Sequence, residues 1–181
     1  MAFLKAEGFS AKMIDRFFVP FFGGVCLDPR IRASSRVLRY VLRMFASGDA
    51  ALPAMGMEEI PKQLAAGLPP EGVQNGTRVR RIGDENVLLE DGRSLPARAV
   101  VVATEGPETA RLLGLPSAPA SVAETCLYFA CNHAGWHSSY LILNGDGRGP
   151  INNISFPSRV SSAYAPDGKS LASVVVLGNP E

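Results

Sequence analysis

The stretch RAVVVATEGPETARLLGLP, residues 98–116, decides how the rest of the chain is read. Residues 99–103 form a short apolar run rich in β-branched side chains, the signature of a buried strand. Thr104, Glu105, Gly106 and Pro107 break that run. Residues 108–113 then read as one or two turns of helix, with Ala110, Leu112 and Leu113 available for packing. A buried strand, a tight turn and a helix are the parts with which open α/β sheets present small ligands at their strand ends. No glycine-rich phosphate loop accompanies them, so the stretch is half of such a site.

Immediately upstream the texture is β. Residues 77–82 predict one strand, and residues 87–90 and 94–97 flank Asp91-Gly92, a strong hairpin signal. Downstream, residues 125–131, 140–144, 151–156 and 171–177 predict four strands. Turns rich in Gly, Pro, Asp and Asn separate them with no helix of any length, so neighbours are expected to pair antiparallel.

The first fifty residues read as helical. Ser10 predicts the N-cap of a helix through Phe18, with Pro20 at or just past its end. Ser34 or Ser35 predicts the cap of a second helix running to about Ala46. Its Leu38, Val41, Leu42 and Phe45 share one face, beside a basic stripe of Arg36, Arg39 and Arg43. A third helix is expected over about 58–68, where Ile60, Leu64 and Leu68 supply the packing face. The fold class is therefore α/β in the α+β sense, with mixed helices and a largely antiparallel sheet.

Composition narrows the function. Of 181 residues, 46% are hydrophobic and 19% charged, which fits a globular chain. Eighteen basic against seventeen acidic side chains leave no global field to attract nucleic acid. Cys26, Cys126 and Cys131 are an odd, sparse set without a secretory pattern, which implies a reducing, cytoplasmic setting. The apolar run at 17–27 is too short to span a bilayer.

Several constellations have a sharp and a bland reading. Cys126, Cys131, His133 and His137 invite zinc, but positions five apart on one strand point to opposite faces, so no metal site is expected. Gly145-Asp146-Gly147-Arg148-Gly149 looks like a phosphate loop, yet Pro150 and a β-like run follow where a helix is required. No serine sits in a nucleophile elbow, and no side chain earns a catalytic role. The stripe of Arg36, Arg39 and Arg43 is a solvated face or a membrane-surface helix. The aromatic run Phe17, Phe18, Phe21 and Phe22 motivates the latter and favours an apolar ligand.

The segment ALPAMGMEEIPKQLAAGLP, followed by VQNGTRVRRI, a hairpin and ARAVVVATEGPETARLL, resembles the interior of flavin-dependent oxidoreductases of the amine oxidase and phytoene desaturase type. SFPSRVSSAYAPDGKSLASVVVLG is similar to the turns of desaturase-like members. The resemblance implies an incomplete, Rossmann-like FAD-binding domain over residues 52–116. It implies a substrate domain built from a helical part, residues 1–51, and a sheet, residues 117–181. In that family the loop gripping the FAD pyrophosphate lies at the extreme N-terminus, and a second FAD segment lies near the C-terminus. The chain is thus expected to be a fragment or one part of a split enzyme, binding FAD only with those segments.

By the same resemblance, Val79 occupies the place whose backbone meets the adenine edge of FAD. Ala103, with Thr104 beside it, stands where a small residue ends a strand near the cofactor. Gly56 is the one glycine left where the family has a pair, Met55 taking the other position. The implied reaction is oxidation of a C–N or C–C bond of a small apolar substrate. The alternative is a non-catalytic remnant or interaction module that binds an apolar ligand or partner chain without flavin. Unpaired strand edges predict self-association or a partner chain.

Overall fold

The computed structural model describes residues 1–118, 120–132 and 136–179. His133 of the cysteine–histidine set and Pro119 of the turn before the second β-rich section lie outside them. The chain forms two compact units, residues 1–61 with 122–181, and residues 62–121. Both sheets are antiparallel.

In the first unit, α1 (Ala2–Ala6) precedes a continuous helical run made of α2 (Ala11–Met13), a π-helical turn (Ile14–Phe18) and α3 (Val19–Cys26). The Ser10 hydroxyl accepts from the Met13 amide at 3.2 Å, the expected cap. The helix does not stop at Pro20. Proline lacks an N–H and its ring crowds the carbonyl four residues back, here Arg16; the wide π turn just before α3 accommodates that misfit without ending the helix. The Asn152 side chain then donates to the Pro20 carbonyl at 3.0 Å.

Leu4, Ile14, Phe18, Phe22 and Leu38 are the buried core of this layer. Phe18 and Phe22 are 2% and 1% exposed, so the aromatic run that suggested an apolar ligand is largely spent on packing. Its spacing of four places both rings on one helix face. α4 (Ser35–Ser47) is capped by Ser34, whose hydroxyl accepts from the Arg36 amide at 3.3 Å. Leu38 faces the core, while Phe45 stays 52% exposed beside Phe21.

Between α3 and α4 the chain turns on Asp28. Its carboxylate accepts from the amides of Arg30 and Arg32 at 3.1 and 3.0 Å and from Arg32 Nε at 2.9 Å. These bonds hold Ile31 at φ 44°, a left-handed conformation costly for a β-branched residue, and its side chain packs on the core. Arg32 holds the Asp28 carboxyl at a pKa of about 2.

The sheet of this unit comprises β4 (Glu124–Cys131), β5 (Ile142–Leu143), β6 (Ile151–Ser155) and β7 (Ser170–Leu177), in the order β4-β7-β6-β5. β4 pairs with the last strand instead of its successor in sequence, from Glu124 opposite Leu177 to Cys131 opposite Ser170. Gly23 and Gly24 let α3 approach closely: a Cβ on Gly24 would lie 3.0 Å from Asn152 Nδ2. α5 (Glu59–Ala65), shorter than expected, carries the chain into the second unit.

The second unit contains β1 (Val79–Ile82), β2 (Asn86–Leu89), β3 (Ser94–Pro96) and α6 (Gly106–Leu113). Strand order is β1-β2-β3, and the Asp91-Gly92 turn forms as read, with Gly92 at φ 87°. Leu89 and Ala110 are its buried apolar residues. The strand expected at 99–103 is not in either sheet. Val101 is 91% exposed: a strand exists only through ladder hydrogen bonds, and no described segment supplies a partner. Pro107 in the first turn and left-handed Gly114 at the end bound α6.

Candidate functional site

The geometry worth building from is the bracket that α6 makes in the second unit. β1 carries a bulge: Val79 faces Leu89 and Arg81 faces Leu88, leaving Arg80 as the extra residue. A bulge withdraws backbone groups from the ladder, and those groups need other partners. Arg111 supplies them. Its Nη2 donates to the Val79 carbonyl and its Nη1 to the Arg80 carbonyl, each at 2.9 Å.

Arg111 is itself oriented by Glu108, three residues earlier on α6. Nε donates to one carboxylate oxygen at 2.8 Å and Nη2 to the other at 2.6 Å, a two-pronged pair. The same hydrogen bonding, with Arg111 and Arg78 as nearby positive charges, lowers the Glu108 carboxyl below its usual pKa. Glu108 pushes that of Arg111 upward.

On the same turn of α6, the Thr109 hydroxyl donates to the Thr104 carbonyl at 3.0 Å and lies 2.9 Å from the Thr104 hydroxyl. α6 therefore fastens both the β1 position read as a cofactor edge, Val79, and the turn that begins at Thr104. Ala103 and Thr104 are exposed, and Val79 is half-buried on the outer strand of its sheet. Gly56 belongs to the first unit. It adopts φ 114° with open space where a side chain would stand, and donates its amide to Pro53 at 3.1 Å.

The segment before Gly56 is sewn down by two bonds that sequence reading missed. The Tyr164 hydroxyl donates to the Pro53 carbonyl and the Ser161 hydroxyl to that of Ala54, both at 2.9 Å. Arg111 was also missed. The only local sign of it was an acid–base pair three apart on a helix, which says nothing of a strand thirty residues upstream.

The other constellations are placed as follows, among the described residues. Cys126 pairs with Val175 and sits 3.2 Å from the Ser173 hydroxyl, whereas Cys131 pairs with Ser170, so their side chains leave opposite faces of the sheet. Among the described residues, no three His, Cys, Asp or Glu side chains could hold a metal ion. Residues 145–149 form the turn between β5 and β6. Asn144 ties it by donating to the carbonyls of Arg148 and Ile151 at 2.9 and 2.6 Å.

With this geometry in view, comparison with known proteins identifies the family. A family model described as flavin containing amine oxidoreductase matches residues 1–181, and the chain belongs to that family. Among curated proteins none matches. A solved structure similar to part of the chain is the PF1083 protein from Pyrococcus furiosus. It shares 16% identity at a TM-score of 0.46, over 57% of this chain and 30% of that one. The chain thus aligns with less than a third of that relative's length.

The family implies a flavin cofactor. The described residues suit only part of one. β1 is an outer strand whose Val79 and Arg80 carbonyls already accept from Arg111, and Ala103 presents an exposed single methyl. A pyrophosphate needs convergent amides at a glycine-rich turn opening a helix, and no described glycine cluster has that setting.

Proposed function

We propose that the chain is the interior portion of an FAD-dependent oxidoreductase of the amine oxidase and desaturase type, acting on a C–N or C–C bond of an apolar substrate. The observation that carries this reading is the family match along all 181 residues. When bound, the flavin supplies the two-electron acceptor for the hydride. The protein's part is to hold and orient.

In this reading, residues 52–116 contribute the inner part of the FAD domain. The Val79 backbone meets the adenine edge, Ala103 and Thr104 leave room beside the cofactor, and Gly56 shapes the turn before α5. The α6 bracket through Arg111 and Thr109 keeps Val79 and Thr104 in register with each other. Residues 1–51 and 117–181 form the substrate domain. There Leu127 and Phe129, two apart on β4 and so on one face of the sheet, are 44% and 51% exposed, and they take over from Phe18 and Phe22 as support for an apolar substrate.

The unladdered segment 99–103 supports an FAD site completed by further chain. A nearly bare Val101 is costly in water and suits a position between neighbouring strands.

The test is flavin retention on gel filtration. The chain is mixed with FAD alone, and with a polypeptide that supplies a glycine-rich strand–turn–helix. Retention with a shifted flavin spectrum only in the mixture is expected. Tight retention by the chain alone would show a self-sufficient site. No retention in either would remove the flavin reading in favour of a non-catalytic module.

A further inference from the structure

We propose that the outward face of α4 docks on the surface of an anionic lipid bilayer, lying in its plane. The proposal is independent of the flavin reading and rests on what this helix leaves exposed. Its sequence, SRVLRYVLRMFAS, holds three arginines and no acid in 13 residues. Alternating charge marks a solvent-exposed, ion-paired helix face; here the polar side carries only the positive sign.

At 100° per residue, Leu38 points into the core. Arg36, Tyr40 and Arg43 fall on the opposite side, with Val37 and Met44 flanking them. Tyr40 is 64% exposed and Met44 46%. Arg39 is drawn back from the stripe, with Glu7 at 3.7 Å and the Phe3 ring under its guanidinium at 4.7 Å. Arg36 and Arg43 make no ion pair among the described residues, so two cations remain free to meet an external anion.

At the C-terminal end of α4 the exposed side chains continue into a groove of about 220 Å³, lined by Tyr40, Val41, Met44 and Phe45 and closed by the turn Gly48–Ala50, whose Asp49 is the one acid on its rim. Long arginine stems with charged tips, a tyrosine and a flexible methionine suit the boundary between headgroups and acyl chains. The complementary surface is negative and apolar beneath. Among described residues no helix is long and apolar enough to cross a membrane, so the contact is peripheral.

Co-sedimentation of the full chain with vesicles tests this. Binding is expected to vesicles of phosphatidylcholine containing phosphatidylglycerol, and not to phosphatidylcholine alone. Arg36→Glu combined with Arg43→Glu is expected to lower the partition by about thirtyfold or more, since each basic residue near such a surface is worth about fivefold. Arg36→Gln with Arg43→Gln serves if the reversal perturbs folding, which circular dichroism reports. Tyr40→Ser with Met44→Ser should weaken binding several-fold with the charges intact. Failure to bind anionic vesicles, equal binding to both vesicle types, or unchanged binding by the folded charge variants would each overturn the proposal, as would selective capture by an acidic protein surface alone.

Discussion

Arg111 donates to the carbonyl of Val79 at 2.9 Å, joining a helix to the bulged edge of a strand 32 residues earlier. The bond matters because the bulge has taken the neighbouring backbone out of the ladder, and an unsatisfied carbonyl would otherwise rely on solvent. One guanidinium serves two carbonyls and one carboxylate. Lysine, a point donor, cannot reproduce that fork.

Arg111→Met is therefore expected to loosen β1 without unfolding the rest of the chain. Hydrogen exchange should show lost protection in β1 and β2, while β4 and β7 keep theirs. Arg111→Lys should restore little of the protection. An unchanged exchange pattern in Arg111→Met would contradict the bracket.

Phe22 is 1% exposed and contacts Phe18 and Phe21. Phe22→Ala leaves a cavity among rings that cannot all collapse inward, and should cost about 3–5 kcal/mol. Urea unfolding followed by circular dichroism measures it. Phe22→Leu keeps much of the volume and should lose less.

Gly145 and Gly147 occupy the same turn for different reasons. A Cβ at Gly145 would sit 2.9 Å from the Arg16 carbonyl oxygen, backbone that cannot swing away; at Gly147, with φ 63°, it would meet open space. Gly145→Ala should cost about 1–3 kcal/mol through overpacking. Gly147→Ala should cost about 1–2 kcal/mol through its left-handed backbone alone. A larger effect at Gly147 in paired melts would reverse this account.

Asp28 gives the acid limb of stability a specific source. Its folded pKa of about 2 lies below that of an unfolded aspartate, near 3.9, so the unfolded state binds the proton first. The contribution is present above pH 4 and is lost as pH falls from about 4 through about 2. Asp28→Asn should flatten that part of the stability–pH curve. The same variant should release Ile31 from its strained backbone, visible as altered packing against the core that includes Phe22.

The local elements were largely legible in the chain. Ser10 announced one helix start and Ser34 or Ser35 another, and Asp91-Gly92 announced a hairpin, because each acts within a few residues. The candidate site was legible only as positions: Val79, Ala103, Thr104 and Gly56 could be marked, but nothing in their neighbourhood named what holds them. β-branched residues at 99–103 announced a strand, yet strand-forming tendency is not a ladder, and pairing needs a second segment.

By itself the sequence determined where the helices capped by Ser10 and Ser34 start and where the Asp91-Gly92 hairpin turns, since capping and left-handed glycines are short-range steric and hydrogen-bonding effects. Only the tertiary structure decided that the helix runs through Pro20, that β4 seeks β7 across the whole sheet, and that Arg111 reaches back to Val79. Those outcomes depend on which distant surface fills a space or satisfies a freed carbonyl, and periodicity along a chain carries no record of its partner.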